Sequence, residues 1–79
     1  MMRLNILNLE RFLQVVNSCC GAVYQVGPDG SRTDLRLAPA LQDRLRERHG
    51  RNKGMLPLTL SVPGRADYMR IVSYYAGDC

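Results

Sequence analysis

Ten of the eleven cationic side chains are arginines, and they are spread unevenly. Residues 32–53 carry seven bases (Arg32, Arg36, Arg44, Arg46, Arg48, Arg51 and Lys53) against three acids (Asp34, Asp43 and Glu47). Residues 1–31 and 54–79 each sum to zero, so the whole net charge of +4 lies in the middle stretch. Arg44, Arg48 and Arg51 recur at i, i+4 and i+7, the spacing that lines one face of a helix. A guanidinium ridge offers forked donors that match carboxylates and phosphates. Lys53 extends the ridge, and Arg32, Arg36 and Tyr24 on the outer face of a hairpin can join it. A tyrosine among arginines can stack on a base while its neighbours contact phosphates. The patch therefore suits a polyanion or an acidic protein partner, with a solvated basic face as the simplest alternative. No RNA-recognition aromatic motif accompanies it.

The remaining chemically capable residues are few. Asp43 and Glu47 share a helical face, but Arg44, Arg46 and Arg48 surround them, which favours ion pairing over acid–base work. His49 sits near a helix C-terminus, where the dipole favours it, and no serine–histidine–aspartate set accompanies it. The three cysteines, Cys19, Cys20 and Cys79, have no metal-ligand spacing between them or with His49. Adjacent Cys19 and Cys20 are too strained to bridge, and both are expected to be small buried residues at the end of a helix. Gly27-Pro28-Asp29-Gly30 joins two strands and lacks a phosphate-loop lysine. The expectation is no enzyme, no catalytic residue, no metal and no cofactor.

These residues need elements to hold them. Leu9, Phe12, Leu13, Val16 and Cys20 lie at i, i+3, i+4, i+7 and i+11, which predicts a helix over about 8–20. Asn8 is its N-cap and Gly21 its left-handed stop. Ala22–Val26 and Ser31–Leu37 read as a hairpin around a type I turn with a bulge. The turn sets Tyr24 against Asp34, Gln25 against Thr33 and Val26 against Arg32, with Val23, Leu35 and Leu37 facing the core. A second helix opens at Ala38-Pro39, buries only Leu41 and Leu45, and is expected to stop at Gly50. Met55–Val62 alternates as a third strand. Pro57 places it at an edge there, or leaves it pairing through its other side only. Residues 65–76 suit either a strand or a helix, and the i, i+3, i+4, i+7 stripe of Tyr68, Ile71, Val72 and Tyr75 favours the helix. Tyr74 falls off that stripe, so Tyr68, Tyr74 and Tyr75 offer a candidate interface.

The sum is a single small α+β domain over 1–79, in the order α-β-β-α-β-α, with a three-stranded sheet packed by helices. A β2-α2-β3 crossover between parallel strands would be right-handed. No apolar run approaches the ~18 residues of a membrane span. The start, Met1 to Leu7, has neither the apolar region nor the cleavage site of a leader. An odd cysteine count without an export signal implies reduced thiols and a cytoplasmic location.

Several stretches resemble a group of short uncharacterised proteins of Firmicute gut bacteria: Asn8-Leu9-Glu10-Arg11-Phe12-Leu13 with Val16, Cys19, Gly21 and Val23, then Pro28-Asp29-Gly30, then Asp67 through Gly77. The resemblance implies a bacterial cytoplasmic domain and transfers no site residue. Some of those proteins are labelled polyA polymerase. A nucleotidyltransferase needs a Gly-Ser turn and paired metal-binding aspartates, and this chain has neither. The expected function is a non-enzymatic protein-interaction or regulatory module, self-associating or docked on a partner protein. The alternative is a nucleic-acid-binding accessory domain using residues 32–53.

Overall fold

The computed structural model describes residues 2–78. Its elements are β1 (Met2–Ile6), α1 (Leu9–Ser18), β2 (Tyr24–Val26), β3 (Arg32–Asp34), α2 (Pro39–Arg51), β4 (Leu56–Ser61) and α3 (Arg65–Asp78). The sheet has four strands in the order β1-β4-β2-β3, and every neighbouring pair is antiparallel. The expectation of three strands and a leading helix is therefore corrected by β1. Met2, Leu4 and Ile6 alternate with Arg3 and Asn5, and β1 pairs along its length with β4, from Met2 opposite Leu60 to Ile6 opposite Leu56. The crossover rule has nothing to act on, because β2 lies between β3 and β4 and no neighbours are parallel.

Partners in register share a face of the sheet. Leu4, Ile6, Val23, Leu56, Leu58 and Leu60 are buried on one face. Buried residues of all three helices join them in one cluster: Leu9, Phe12, Leu13 and Val16 from α1, Leu45 from α2, Ile71 and Tyr74 from α3. Arg3, Asn5, Pro57, Thr59, Ser61 and Tyr24 take the opposite face.

The first helix starts as expected, with the Asn8 side chain accepting the Arg11 N–H at 3.2 Å. Its end differs. The last turn closes on Cys19, whose backbone is extended, and Gly21 does not have a positive φ. Cys19 is buried and Cys20 is exposed, because the helix stops before Cys20 can complete the stripe. The hairpin has the expected register, Tyr24 to Asp34, Gln25 to Thr33 and Val26 to Arg32. Its turn closes through Gly27 N–H to the Ser31 carbonyl at 2.8 Å, with Gly30 at φ +85°. Leu37 departs from expectation: its φ is +52° and it is 62% exposed, because the chain turns toward α2 after Leu35.

The β2–β4 ladder has two rungs, Tyr24–Ser61 and Gln25–Leu60, and ends there. Pro57 lies beyond its end and faces only Asn5 of β1, which is how a central strand tolerates a residue without a donor. The second helix runs through Gly50 to Arg51 and caps on Asn52. Three residues past Gly50 the chain does turn left-handed, at Lys53 and Gly54. Residues 65–78 are helical, as the stripe predicts. Among the described residues no helix is long and apolar enough to cross a membrane.

Candidate functional site

The site is built on α2, whose buried side is narrow. Leu45 and Gln42 are buried and Leu41 is half-buried. The Gln42 amide donates to the Leu35 carbonyl at 2.9 Å and to Asn17 Oδ1 at 2.7 Å, which locks the helix to the end of the hairpin and to α1. That contact fixes how the basic residues of α2 are distributed.

Arg46 turns toward α1. Its guanidinium grips Glu10 through two bonds, at 2.9 and 3.3 Å, and reaches Asp43 at 2.7 Å. The Glu10 bond first, then the Asp43 bond, hold the Arg46 proton more firmly than usual. Arg51 pairs with Glu47 one turn back. Arg44 and Arg48 have no carboxylate partner among the described residues. They line a groove of about 250 Å³ between α2 and the hairpin. Its other wall is Gln25, Gly27, Ser31 and Thr33, and Leu41 and Leu45 complete the lining. Among the described residues no carboxylate lines it, though Asp29 beside it accepts the Ser31 hydroxyl, which with the Ser31 N–H holds the Asp29 carboxyl below the ordinary range.

The other members of the expected basic patch lie elsewhere. Arg32 stands opposite Val26, and Tyr24 opposite Asp34 and Ser61, on the sheet face turned away from Gln25 and Thr33. Arg36 is used internally: its Nε–H donates to the Cys19 carbonyl at the end of α1, where a cation suits the helix dipole. Lys53 follows the helix at φ +57° and is exposed. The fold therefore brings together Arg44 and Arg48 only. The facing wall of Gln25, Ser31 and Thr33 was not singled out by sequence. The hairpin register already sets Gln25 with Thr33 and Gly27 near Ser31 on one face. What the sequence could not supply was the docking of α2 over that face.

The three tyrosines do not form one surface. The expectation that Tyr74 stands off the buried stripe is corrected: it is 4% exposed, its hydroxyl donates to the Asn8 carbonyl at 3.0 Å, and its ring lies 5.9 Å from Phe12 at 49°. The Tyr75 hydroxyl accepts the Asn5 N–H of β1 at 3.1 Å. Tyr68 is exposed.

The titratable groups away from the groove are structural. Asp67 is buried in the first turn of α3 and accepts the N–H groups of Cys20 and Gly21, which hold its carboxyl below the ordinary range. Burial and then the Asp67 charge push the Cys19 thiol up, which keeps it protonated and unsuited to nucleophilic attack. His49 Nε2 bonds the Leu7 carbonyl at 2.8 Å, which makes it a tie between α2 and the loop that follows β1. Among the described residues no three His, Cys, Asp or Glu side chains gather as a metal set. A scan against protein-family models and searches of curated proteins and of solved structures find no match.

Proposed function

We propose that this protein is a non-enzymatic interaction module that docks an acidic segment of a partner protein between α2 and the β2–β3 hairpin. One observation carries the reading. Among the described residues Arg44 and Arg48 sit one turn apart without carboxylate partners, on a groove whose facing wall bears the Thr33 hydroxyl and the Gln25 amide. The other α2 cations that face an acid are already paired with one, so the groove's charge awaits an outside anion. Base stacking would need an aromatic ring beside these arginines, and Tyr24 belongs to the opposite sheet face. Self-association through a tyrosine face loses support, since the Tyr74 ring is in the core.

The test is an amide NMR titration at low salt with a decaglutamate peptide and, separately, a single-stranded oligonucleotide of equal charge. The peptide is expected to move the signals of Gln25, Gly27, Ser31 and Thr33, and the Arg44→Gln/Arg48→Gln variant to leave them still. Tighter binding of the oligonucleotide, with shifts at Tyr24 and Arg32, would favour nucleic acid instead. Silence with both probes would end both readings.

A further inference from the structure

We infer that the groove is a phosphoryl site: it takes the phosphorylated side chain of a serine or threonine on an extended partner segment. The inference rests on the docking reading above and narrows its chemistry. A carboxylate has two acceptor oxygens in a plane, and one guanidinium fork can occupy both. The groove holds more donors than that, and they stand on two walls. Arg44 and Arg48 line it from α2, and Ser31, Thr33 and Gln25 line it from the hairpin. Each guanidinium has five N–H donors, the Thr33 hydroxyl one and the Gln25 amide two, while the Ser31 hydroxyl is already engaged by the Asp29 carboxylate. A tetrahedral phosphoryl group presents three terminal oxygens pointing in different directions, so donors on both walls can be used together. Its charge of about −1.5 to −2 at pH 7 also matches two guanidiniums better than a single carboxylate does.

The dimensions agree. About 250 Å³ lies below the range of roughly 300–1,000 Å³ typical for pockets that enclose a drug-sized ligand. It suits one side-chain head group, with the rest of the ligand passing outside. The hairpin wall is well fixed, because Thr33 and Gln25 are opposite each other in the ladder and Gly27 N–H bonds the Ser31 carbonyl at 2.8 Å. The α2 wall is fixed by Gln42 on the Leu35 carbonyl at 2.9 Å. Both walls are thus in place before a ligand arrives, which lowers the ordering cost of binding.

Three probes separate the outcomes: a five-residue phosphoserine peptide with neutral flanks, its twin with aspartate in place of phosphoserine, and inorganic phosphate. Binding is followed by the amide signals of Gln25, Gly27, Ser31 and Thr33. The phosphoserine peptide is expected to bind about tenfold or more tighter than the aspartate twin, given its extra charge and third oxygen. Arg44→Lys/Arg48→Lys keeps the charge and removes the forks, so it should weaken both peptides and shrink the phosphoserine advantage. Thr33→Val should weaken the phosphoserine peptide more than the aspartate twin. Equal affinity for the two peptides would overturn the phosphoryl inference and leave acidic docking standing. Inorganic phosphate binding as tightly as the phosphopeptide would overturn it in favour of a free anion. If decaglutamate also fails to bind, the docking reading falls with it. Both variants change exposed side chains, and an unchanged spectrum outside the groove verifies their fold.

Discussion

Asp67 closes its carboxylate on the backbone of Gly21: Oδ2 accepts the Gly21 N–H at 2.8 Å, while Oδ1 takes the neighbouring Cys20 N–H at 2.9 Å. A methyl group on Gly21 would stand 3.1 Å from that Oδ2, so the glycine is there for the close approach rather than for its dihedral freedom. Gly64 gives the same carboxylate room on its other side, where a methyl group would stand 3.0 Å from Oδ2. The loop after α1 and the first turn of α3 are therefore clamped by one side chain. Gly21→Ala and Asp67→Asn should each destabilise, and together by less than their sum, since both loosen one clamp. Urea midpoints of the two single variants and the double variant check this.

The same clamp sets an acid limit. The folded-state pKa of Asp67 is depressed, first by the Cys20 N–H and next by the Gly21 N–H. A depressed carboxylate contributes stability above its unfolded value of about 3.9 and loses it as pH falls through the folded value. The gap between wild type and Asp67→Asn should thus be constant near neutrality and narrow below about pH 4. Urea unfolding across that range measures it, and a gap that stays level in acid would contradict the clamp.

Cys19 and Cys20 should behave as different residues. Cys19 is buried with its thiol toward the Val15 carbonyl at 3.3 Å, and Cys20 is exposed. A thiol reagent added to the native protein should modify Cys20 at a peptide-like rate and Cys19 only on unfolding. Cys20→Ser should fall within about 0.5 kcal/mol of wild type, as surface changes usually do. Mass spectrometry of the quenched reaction assigns the two sites.

Tyr74 should report on folding and leave the solution mass unchanged. Tyr74→Phe removes the hydroxyl's bond to the Asn8 carbonyl, which keeps the Phe12 N–H at 3.1 Å, so the cost should be about 0.5–1.5 kcal/mol. Tyr74→Ala also empties the space beside Phe12 and should cost about 3–5 kcal/mol, enough to threaten a chain this small. Denaturation curves give the cost, and sedimentation tests the mass.

Leu37 holds an unfavourable backbone. Its φ of +52° is left-handed, its N–H is tied to Asn17 Oδ1 at 3.0 Å, and its side chain is exposed. Leu37→Gly removes the side-chain clash and keeps the N–H, so it should leave stability level or raise it by up to about 1 kcal/mol. A Tm that drops instead would mean that the leucine side chain contributes packing that its exposure hides.

The parts of this fold that are legible in the sequence are those fixed by local pattern. The α1 stripe from Leu9 to Val16, the Gly27–Gly30 turn and the alternation at Leu56, Leu58 and Leu60 each carry their own signal, and the hairpin register follows from the turn. β1 has the same alternation in Leu4 and Ile6, but it is short and begins the sequence, where it invites a search for a leader and not for a strand. The errors at Cys20, Leu37 and Tyr74 share a cause. Each lies where a neighbouring element decides burial, and periodicity along one segment carries no information about its neighbour. The candidate groove divides the same way. Arg44 and Arg48 are read from spacing, whereas their separation from Arg51, Arg46 and Arg36 depends on Glu47, Glu10 and the end of α1.

The pairing of β1 with β4 has a consequence for synthesis on the ribosome. Leu4 and Ile6 emerge well before the strand that pairs with theirs, Leu56–Ser61, which is made about fifty residues later. The α3 tyrosines that hold Asn8 and Asn5 come later still. The nascent chain can form α1 and the hairpin from local contacts but must carry an unpaired apolar strand until β4 has been extruded. Long-range pairing of this kind slows folding and leaves the waiting strand open to wrong partners. Arg3 and Asn5, alternating with Leu4 and Ile6, put polar groups on every second position of that strand and so work against edge-to-edge association in the interval.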